Sequence, residues 1–312
     1  MKKSNQDGTY NESYKIMYSK HLKSNCIVTS TIMGIFNFAD KGWEPKVDDE
    51  NGNFDYLMGC NLDMENPDTI EQLDKWGKWY QELTDVDGYR LDAVKHIRFD
   101  LFVDWLLHRR EEKGEELFVV GEYWSDELDK LQEYLDSSGN LISLFDVPLH
   151  FNLFQAASTM GGFDMRQIFA GTLIETRPDW AVTFVDNHDT QHGQSLESWI
   201  EGWFKLHAYS LILLRNEGTP VVFWGDLYGT ENADAMGSGL TSLIKLREEL
   251  NFGNQADYFD DPDIIGWTLT GDFDDSNSGA AVIMTNAKGG EKEMTISAIH
   301  EGETFVDLLG NN

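Results

Sequence analysis

Three apolar runs, each ending in a carboxylate, constrain this chain more than any other feature. The first lies in Asp87-Gly88-Tyr89-Arg90-Leu91-Asp92-Ala93-Val94-Lys95-His96, where Tyr89 and Leu91 stand between charged residues and a helix is expected to follow. The second, Leu117-Phe118-Val119-Val120-Gly121, runs into Glu122. The third, Ala181-Val182-Thr183-Phe184-Val185, runs into Asp186-Asn187-His188-Asp189. Apolar runs of this kind fit strands of a parallel sheet covered on both faces. Carboxylates at the C-terminal ends of separate parallel strands lie where a barrel fold gathers its reactive groups. Arg90 stands two residues before Asp92, so the strand period puts both side chains on one face. A cation there favours the ionised carboxylate, as a carboxylate nucleophile requires.

The three stretches resemble, in order and in spacing, regions of the α-amylase family of retaining glycoside hydrolases. Two further stretches, Asn51-Gly52-Asn53-Phe54-Asp55-Tyr56-Leu57-Met58 and Asp263-Ile264-Ile265-Gly266-Trp267, resemble its liquefying and cytoplasmic bacterial members. The likeness runs from about Gly34 to about Gly310. It implies endohydrolysis of α-1,4-glucosidic bonds in starch- or glycogen-like glucans. In that chemistry Asp92 is the expected nucleophile and Glu122 the general acid/base, with the carboxyl groups about 5 Å apart. Glu122 is flanked by Gly121, Tyr123 and Trp124, an apolar setting that raises a carboxyl pKa. Asp189 is the expected third carboxylate, gripping sugar hydroxyls, with His188 beside it. Arg90, Lys95 and His96 are the further substrate-binding residues that the resemblance implies.

Calcium is the implied cofactor, with Asp55, Asn61, the His96 carbonyl and, in some relatives, Asp63 as ligand positions. Asn61 stands where the family has Asp, so one ligand loses its charge and the affinity is expected to be weak. The residues by themselves leave other readings open. Arg90 and Asp92 could form a buried ion pair that only holds the fold, and Asp186–Asp189 could be a polar turn. An exo-acting or transglycosylating relative would use the same three carboxylates, and a non-catalytic remnant could still bind glucan.

Taken in order, residues 1–33 are polar and poorly periodic, and are expected to be a disordered leader. Residues 34–64 are rich in Gly, Asn and Asp and read as the remnant of a loop-rich, calcium-binding inserted subdomain. Residues 65–254 read as a partial catalytic barrel. Its opening helix has Asn66 as cap, Pro67 at its first position and an apolar face of Ile70, Leu73, Trp76, Trp79, Tyr80 and Leu83. Asp100 is expected to cap a helix with Phe102, Val103, Leu106 and Leu107 inward, ending at Gly114. Ser125 is expected to cap the helix after Glu122, a further strand covers Ile142–Asp146, a long helix covers about 197–216, and the last strand covers 220–225. Residues 255–312 read as a truncated antiparallel β domain with strands at 267–270, 280–284, 294–296 and 304–308.

The fold class is therefore α/β, a partial TIM (β/α)8 barrel comprising the last five strand–helix units. Strands are expected near residues 89, 119, 144, 183 and 222, where a closed barrel has eight. The chain as written is accordingly expected to be N-terminally truncated and impaired, with possible aggregation where the intact family is monomeric. A net charge of −31 argues against nucleic-acid partners, because phosphates would be repelled. No membrane-spanning run and no secretory signal are legible, which favours the cytoplasm. Cys26 and Cys60 read as free thiols.

Overall fold

A computed structural model describes Leu62 and residues 64–250, 253–272, 274–275 and 278–309. The expected leader, nearly all of 34–64 including Asp55, Asn61 and Asp63, and both cysteines lie outside the described residues.

The three carboxylate-tipped runs form strands of one parallel sheet. Its members are β1 (Gly88–Leu91), β2 (Phe118–Gly121), β3 (Ser143–Phe145), β4 (Ala181–Phe184) and β5 (Thr219–Val221), ordered β1-β2-β3-β4-β5. All four residues of β4 and three of four in β2 are buried, as continuous apolar runs require. The helices are α1 (Pro67–Thr84), α2 (Phe99–Lys113), α3 (Leu128–Ser137), α4 (Val147–Ser158), α5 (Leu173–Thr176), α6 (Gly202–Leu213), α7 (Trp224–Tyr228) and α8 (Ser238–Leu250). This is the partial barrel that the resemblance implied. β1 and β5 are its outer strands, and no described residue pairs with their free edges.

A second sheet, β6 (Gln255–Tyr258), β7 (Ile264–Leu269) and β8 (Ala280–Thr285), is antiparallel. It docks on the end of α6. Trp267 is fully buried and its Nε1 donates to the Leu214 carbonyl at 2.6 Å. Arg215 holds Asp257 in a two-pronged pair at 2.7 and 2.8 Å. The tryptophan of the 263–267 stretch is thus an anchor between the two sheets.

Several local expectations hold. The Asn66 side chain accepts from Asp68 N at 2.9 Å with Pro67 opening α1, and Gly114 ends α2 at φ 73°. Gly121 allows a close approach at the end of β2, where an added Cβ would sit 3.1–3.2 Å from Leu144, Ile142 and Val94.

The expected apolar face of α1 is corrected. Trp76, Trp79 and Leu83 are 51 %, 55 % and 66 % exposed. A second, polar stripe at the same helical period makes the contact with α2 instead. Gly77 brings α1 close to Trp105 and Arg109, and Gln81 Nε2 donates to the Arg109 carbonyl at 3.0 Å. Fully buried Arg109 donates to the Asp74 carbonyl at 2.7 Å and to its carboxylate at 2.8 Å. Those charged bonds cannot form on the tryptophan side, so they fix the rotation of the helix.

Other boundaries move. Arg98 rather than Asp100 occupies the N-cap of α2, and Leu107 is exposed. Ser125 Oγ accepts from Glu127 N at 3.2 Å, but α3 begins only at Leu128. The helix expected over 197–216 is α6, and the last strand stops at Val221 because Trp224–Tyr228 turns helical. β6 was not anticipated, whereas 294–296 and 304–308 form no strand. Thr295 is held by a side chain instead of a ladder, its N–H donating to Tyr258 Oη at 2.9 Å and its carbonyl accepting from that hydroxyl at 3.0 Å. No described helix is long and apolar enough to cross a membrane.

Candidate active site

Pairing of β1 with β2 sets Leu91 opposite Gly121, so the next residues, Asp92 and Glu122, leave the sheet side by side. The hydrogen bond from Glu122 N to the Leu91 carbonyl, 2.9 Å, and that from Val94 N to the Glu122 carbonyl, 3.0 Å, carry the parallel pattern past both strand ends. Between them the chain turns sharply. Ala93 adopts the left-handed conformation, φ 48° and ψ 42°, and a 3-10 turn, Val94–His96, follows. Such backbone costs a non-glycine residue of the order of 1–2 kcal/mol. It aims the Ala93 N–H at Glu122 Oε2, 3.4 Å away.

One guanidinium joins the two carboxylates. Arg90 Nη1 lies 2.5 Å from Asp92 Oδ1, and Nη2 lies 3.2 Å from Glu122 Oε2. Their surroundings differ sharply. The Glu122 side chain is 11 % exposed, whereas that of Asp92 is 73 % exposed. Burial pushes the Glu122 carboxyl above its ordinary range. The Arg90 cation and the Ala93 N–H oppose that rise, and the charges of Asp92 and Asp189 add to it. Asp92 is open to solvent, so its pair with Arg90 is not a buried one.

Asp189 follows β4 in a tight turn. Asn187 Oδ1 accepts from Asp189 N at 2.8 Å and from Thr190 N at 3.0 Å, so the side chain of one residue fixes the backbone of the next three. His188 is exposed, with Nε2 3.3 Å from Asp189 Oδ2. Lys95 reaches across to the Trp124 carbonyl at 2.5 Å, and the His96 N–H closes the 3-10 turn on Ala93. The site therefore unites Arg90, Asp92 and Glu122 by direct contact and brings Asp189 within electrostatic reach. Of the expected calcium positions only His96 is described. Among the described residues no three His, Cys, Asp or Glu side chains are grouped to hold a metal ion.

The sequence reading missed the groups that hold these residues up. His150, on α4, donates from Nδ1 to the Val185 carbonyl at 2.7 Å and pairs Nε2 with Ser198 Oγ at 2.8 Å. Its ring stacks on Phe184, centroids 5.1 Å apart, and burial lowers its pKa to about 4. Asp146 stands at the end of β3, where a fourth reactive carboxylate could have been expected. It is fully buried and accepts from the N–H groups of Leu149, Leu173 and Ile174 at 3.1, 3.0 and 2.7 Å. It caps the starts of α4 and α5 together and is sealed from solvent. Only the Asp-Val-Pro order, a cap before a proline, marks Asp146 in the sequence, and no local signal marks His150.

Residues 35–263 match the family described as "Alpha amylase, catalytic domain". An α-amylase of Geobacillus stearothermophilus is 47% identical over 278 residues, which cover 88% of this chain and 51% of that protein. A cytoplasmic α-amylase of Escherichia coli K12 is 44% identical, over 89% of this chain and 59% of that one. The solved α-amylase of Geobacillus thermoleovorans, complexed with acarbose, superposes with a TM-score of 0.54 at 21% identity, covering 73% of this chain and 60% of that structure. That last likeness concerns the fold. The chain spans about half the length of the first of these relatives. From the family match and the paired sheet-end carboxylates together, this chain belongs to the α-amylase catalytic-domain family.

Proposed function

We propose that this chain performs α-amylase chemistry, endohydrolysis of α-1,4-glucosidic bonds with retention at the anomeric carbon. The observation that carries this reading is the shared Arg90, which bridges an exposed Asp92 and a buried Glu122. Two carboxyl groups in contact with one cation but in opposite surroundings suit opposite duties. Asp92, held by Arg90 and open to substrate, attacks the anomeric carbon. Glu122, kept protonated more readily by burial, gives its proton to the departing glycosidic oxygen. The glycosyl–Asp92 ester is then opened by water, which loses its proton to Glu122 as Asp92 departs. Two inversions give net retention. Asp189 and His188 grip the sugar from the β4 side, and Lys95 and His96 line the neighbouring wall.

An α-glucan is the proposed substrate and the cytoplasm the proposed location, supported by the printed names of the relatives. Ca²⁺ is the proposed cofactor, with the His96 carbonyl, Asp55, Asn61 and Asp63 as its proposed ligand positions, and no step above passes through it. The division at residues 64/65 and 254/255 into inserted segment, barrel and β domain is likewise proposed.

The test is release of reducing ends from soluble starch by the purified chain and by its Glu122→Gln variant. Loss of an essential group costs about three to six orders of magnitude in turnover. The variant should recover its first step on a maltosyl fluoride, whose leaving group needs little protonation. Near-normal starch hydrolysis by Glu122→Gln would reject the assignment, and products of one fixed length would replace endo- with exo-action.

A further inference from the structure

The segment that carries Asp189 leaves the sheet at Asp186 and returns at Trp199 and Ile200, just before α6. Both feet of this loop stand on one buried lysine. Lys205 is 3 % exposed, and its ammonium has three donors and three partners. Its Nζ lies 3.0 Å from Asp186 Oδ2, contacts Asp226 Oδ1 of α7, and sits over the Trp199 ring, 3.0 Å from its centroid. Asp226 also accepts from Tyr209 Oη at 2.6 Å.

From this node a continuous relay reaches Asp189. Thr190 Oγ1 donates to Asp186 Oδ1 at 2.8 Å and accepts from Asn187 N at 3.0 Å. The Asn187 side chain in turn accepts from the N–H of Asp189. On the return side, Ile200 N donates to Asp186 Oδ2 at 3.3 Å, and Ser198 N donates to the Thr190 carbonyl at 3.1 Å. Lys205, Asp186 and Thr190 are themselves buried.

We propose that Lys205 is a positioning residue, which cinches the two ends of the 186–200 loop and through Asp186 and Thr190 sets the aim of Asp189. The proposal rests on the reading of Asp189 as a sugar-gripping carboxylate. As a stability device the arrangement is a poor one, since a buried ion cluster is commonly matched or bettered by apolar packing. Burial pushes the Asp186 carboxyl up to about 7 even with Lys205 beside it, so the cluster is held against its desolvation. Its position at both feet of the loop gives that expense a purpose.

The experiment uses the full chain and the double variant Lys205→Met/Asp226→Asn. One charge of each sign is removed, so the cluster keeps its net charge while Asp186 loses the cation 3.0 Å from its Oδ2. Amide hydrogen exchange across residues 186–200 should rise about tenfold or more while the core strands keep their protection. Affinity for maltoheptaose, read by calorimetry, should fall about tenfold, and should fall no further when the double variant is placed in an Asp189→Asn background. Unchanged exchange in 186–200, or an equal loss of affinity with and without Asp189, would overturn the proposal. If the double variant does not fold, Thr190→Val cuts the same relay between Asp186 and Asn187 with nearly the same shape, and the same exchange criterion decides. If the parent chain does not bind maltoheptaose, the proposed function fails, while exchange still decides the role of Lys205.

Discussion

Replacing Asp146 by alanine should come close to unfolding the barrel. The fully buried carboxylate accepts from three backbone N–H groups, one at the start of α4 and two at the start of α5. Alanine leaves all three without an acceptor where water does not reach. Each orphaned buried donor costs about 1–3 kcal/mol, and loss of a cap costs about 1 kcal/mol when measured alone. These are overlapping descriptions of the same loss, so the expected total is roughly 3–6 kcal/mol, against domain stabilities of about 5–15 kcal/mol. Asparagine is the informative control. Its oxygen can still serve Leu149 and Leu173, while its amide group faces the Ile174 N–H, donor against donor. A loss of roughly 1–3 kcal/mol follows. Urea unfolding followed by tryptophan fluorescence at pH 7 gives both numbers. An alanine variant within about 1 kcal/mol of the parent, or an asparagine variant weaker than alanine, would refute the shared-cap reasoning.

His150 should make the fold acid-sensitive. Its pKa is lowered by burial to about 4, below its unfolded value, so its stabilising contribution is present above about pH 6.5 and is lost as pH falls through 4. At about 1.4 kcal/mol per unit, the parent's margin over His150→Gln should shrink by roughly 3 kcal/mol across that window, and a flat difference in unfolding free energy would contradict it. Asp146 and Asp186, pushed up to about 6 and about 7, act in the opposite sense, losing stability as pH rises, so only the difference between parent and variant isolates the histidine. Trp267→Ala should cost about 3–5 kcal/mol and loosen the antiparallel sheet first, seen as early loss of amide protection in β7. Calorimetric titration of chelator-treated protein should show Ca²⁺ binding of about micromolar strength or weaker, because Asn61 brings no charge, and nanomolar binding would overturn that estimate.

The strands and the three carboxylates were legible because both depend on the chain's own neighbours. An apolar run buries itself, and the residue that follows a parallel strand must emerge at its C-terminal end, whatever lies around it. The two-residue spacing of Arg90 and Asp92 is of the same local kind, and the structure gives them the shared face that the spacing implied. What failed was the choice between competing partners. α1 carries two stripes at one helical period, and hydrophobicity alone favoured the tryptophans, whereas the charged bonds of Arg109 with Asp74 claimed the other. The support of Asp189 was illegible for a different reason. Lys205 serves Asp226, 21 positions away, and His150 reaches Ser198 across 48, so their purpose exists only once the sheet has formed.

The left-handed Ala93 has a consequence for how the protein would respond to selection. Glycine would adopt that conformation without the steric penalty, so a screen for heat resistance should favour Ala93→Gly. The same freedom would release the hinge between Asp92 and the 3-10 turn and let the Ala93 N–H drift from Glu122. A screen for turnover should therefore reject the change that the first screen selects. Sorting one library both ways, and finding glycine enriched in the heated pool alone, would expose a trade between endurance and aim at a single methyl group.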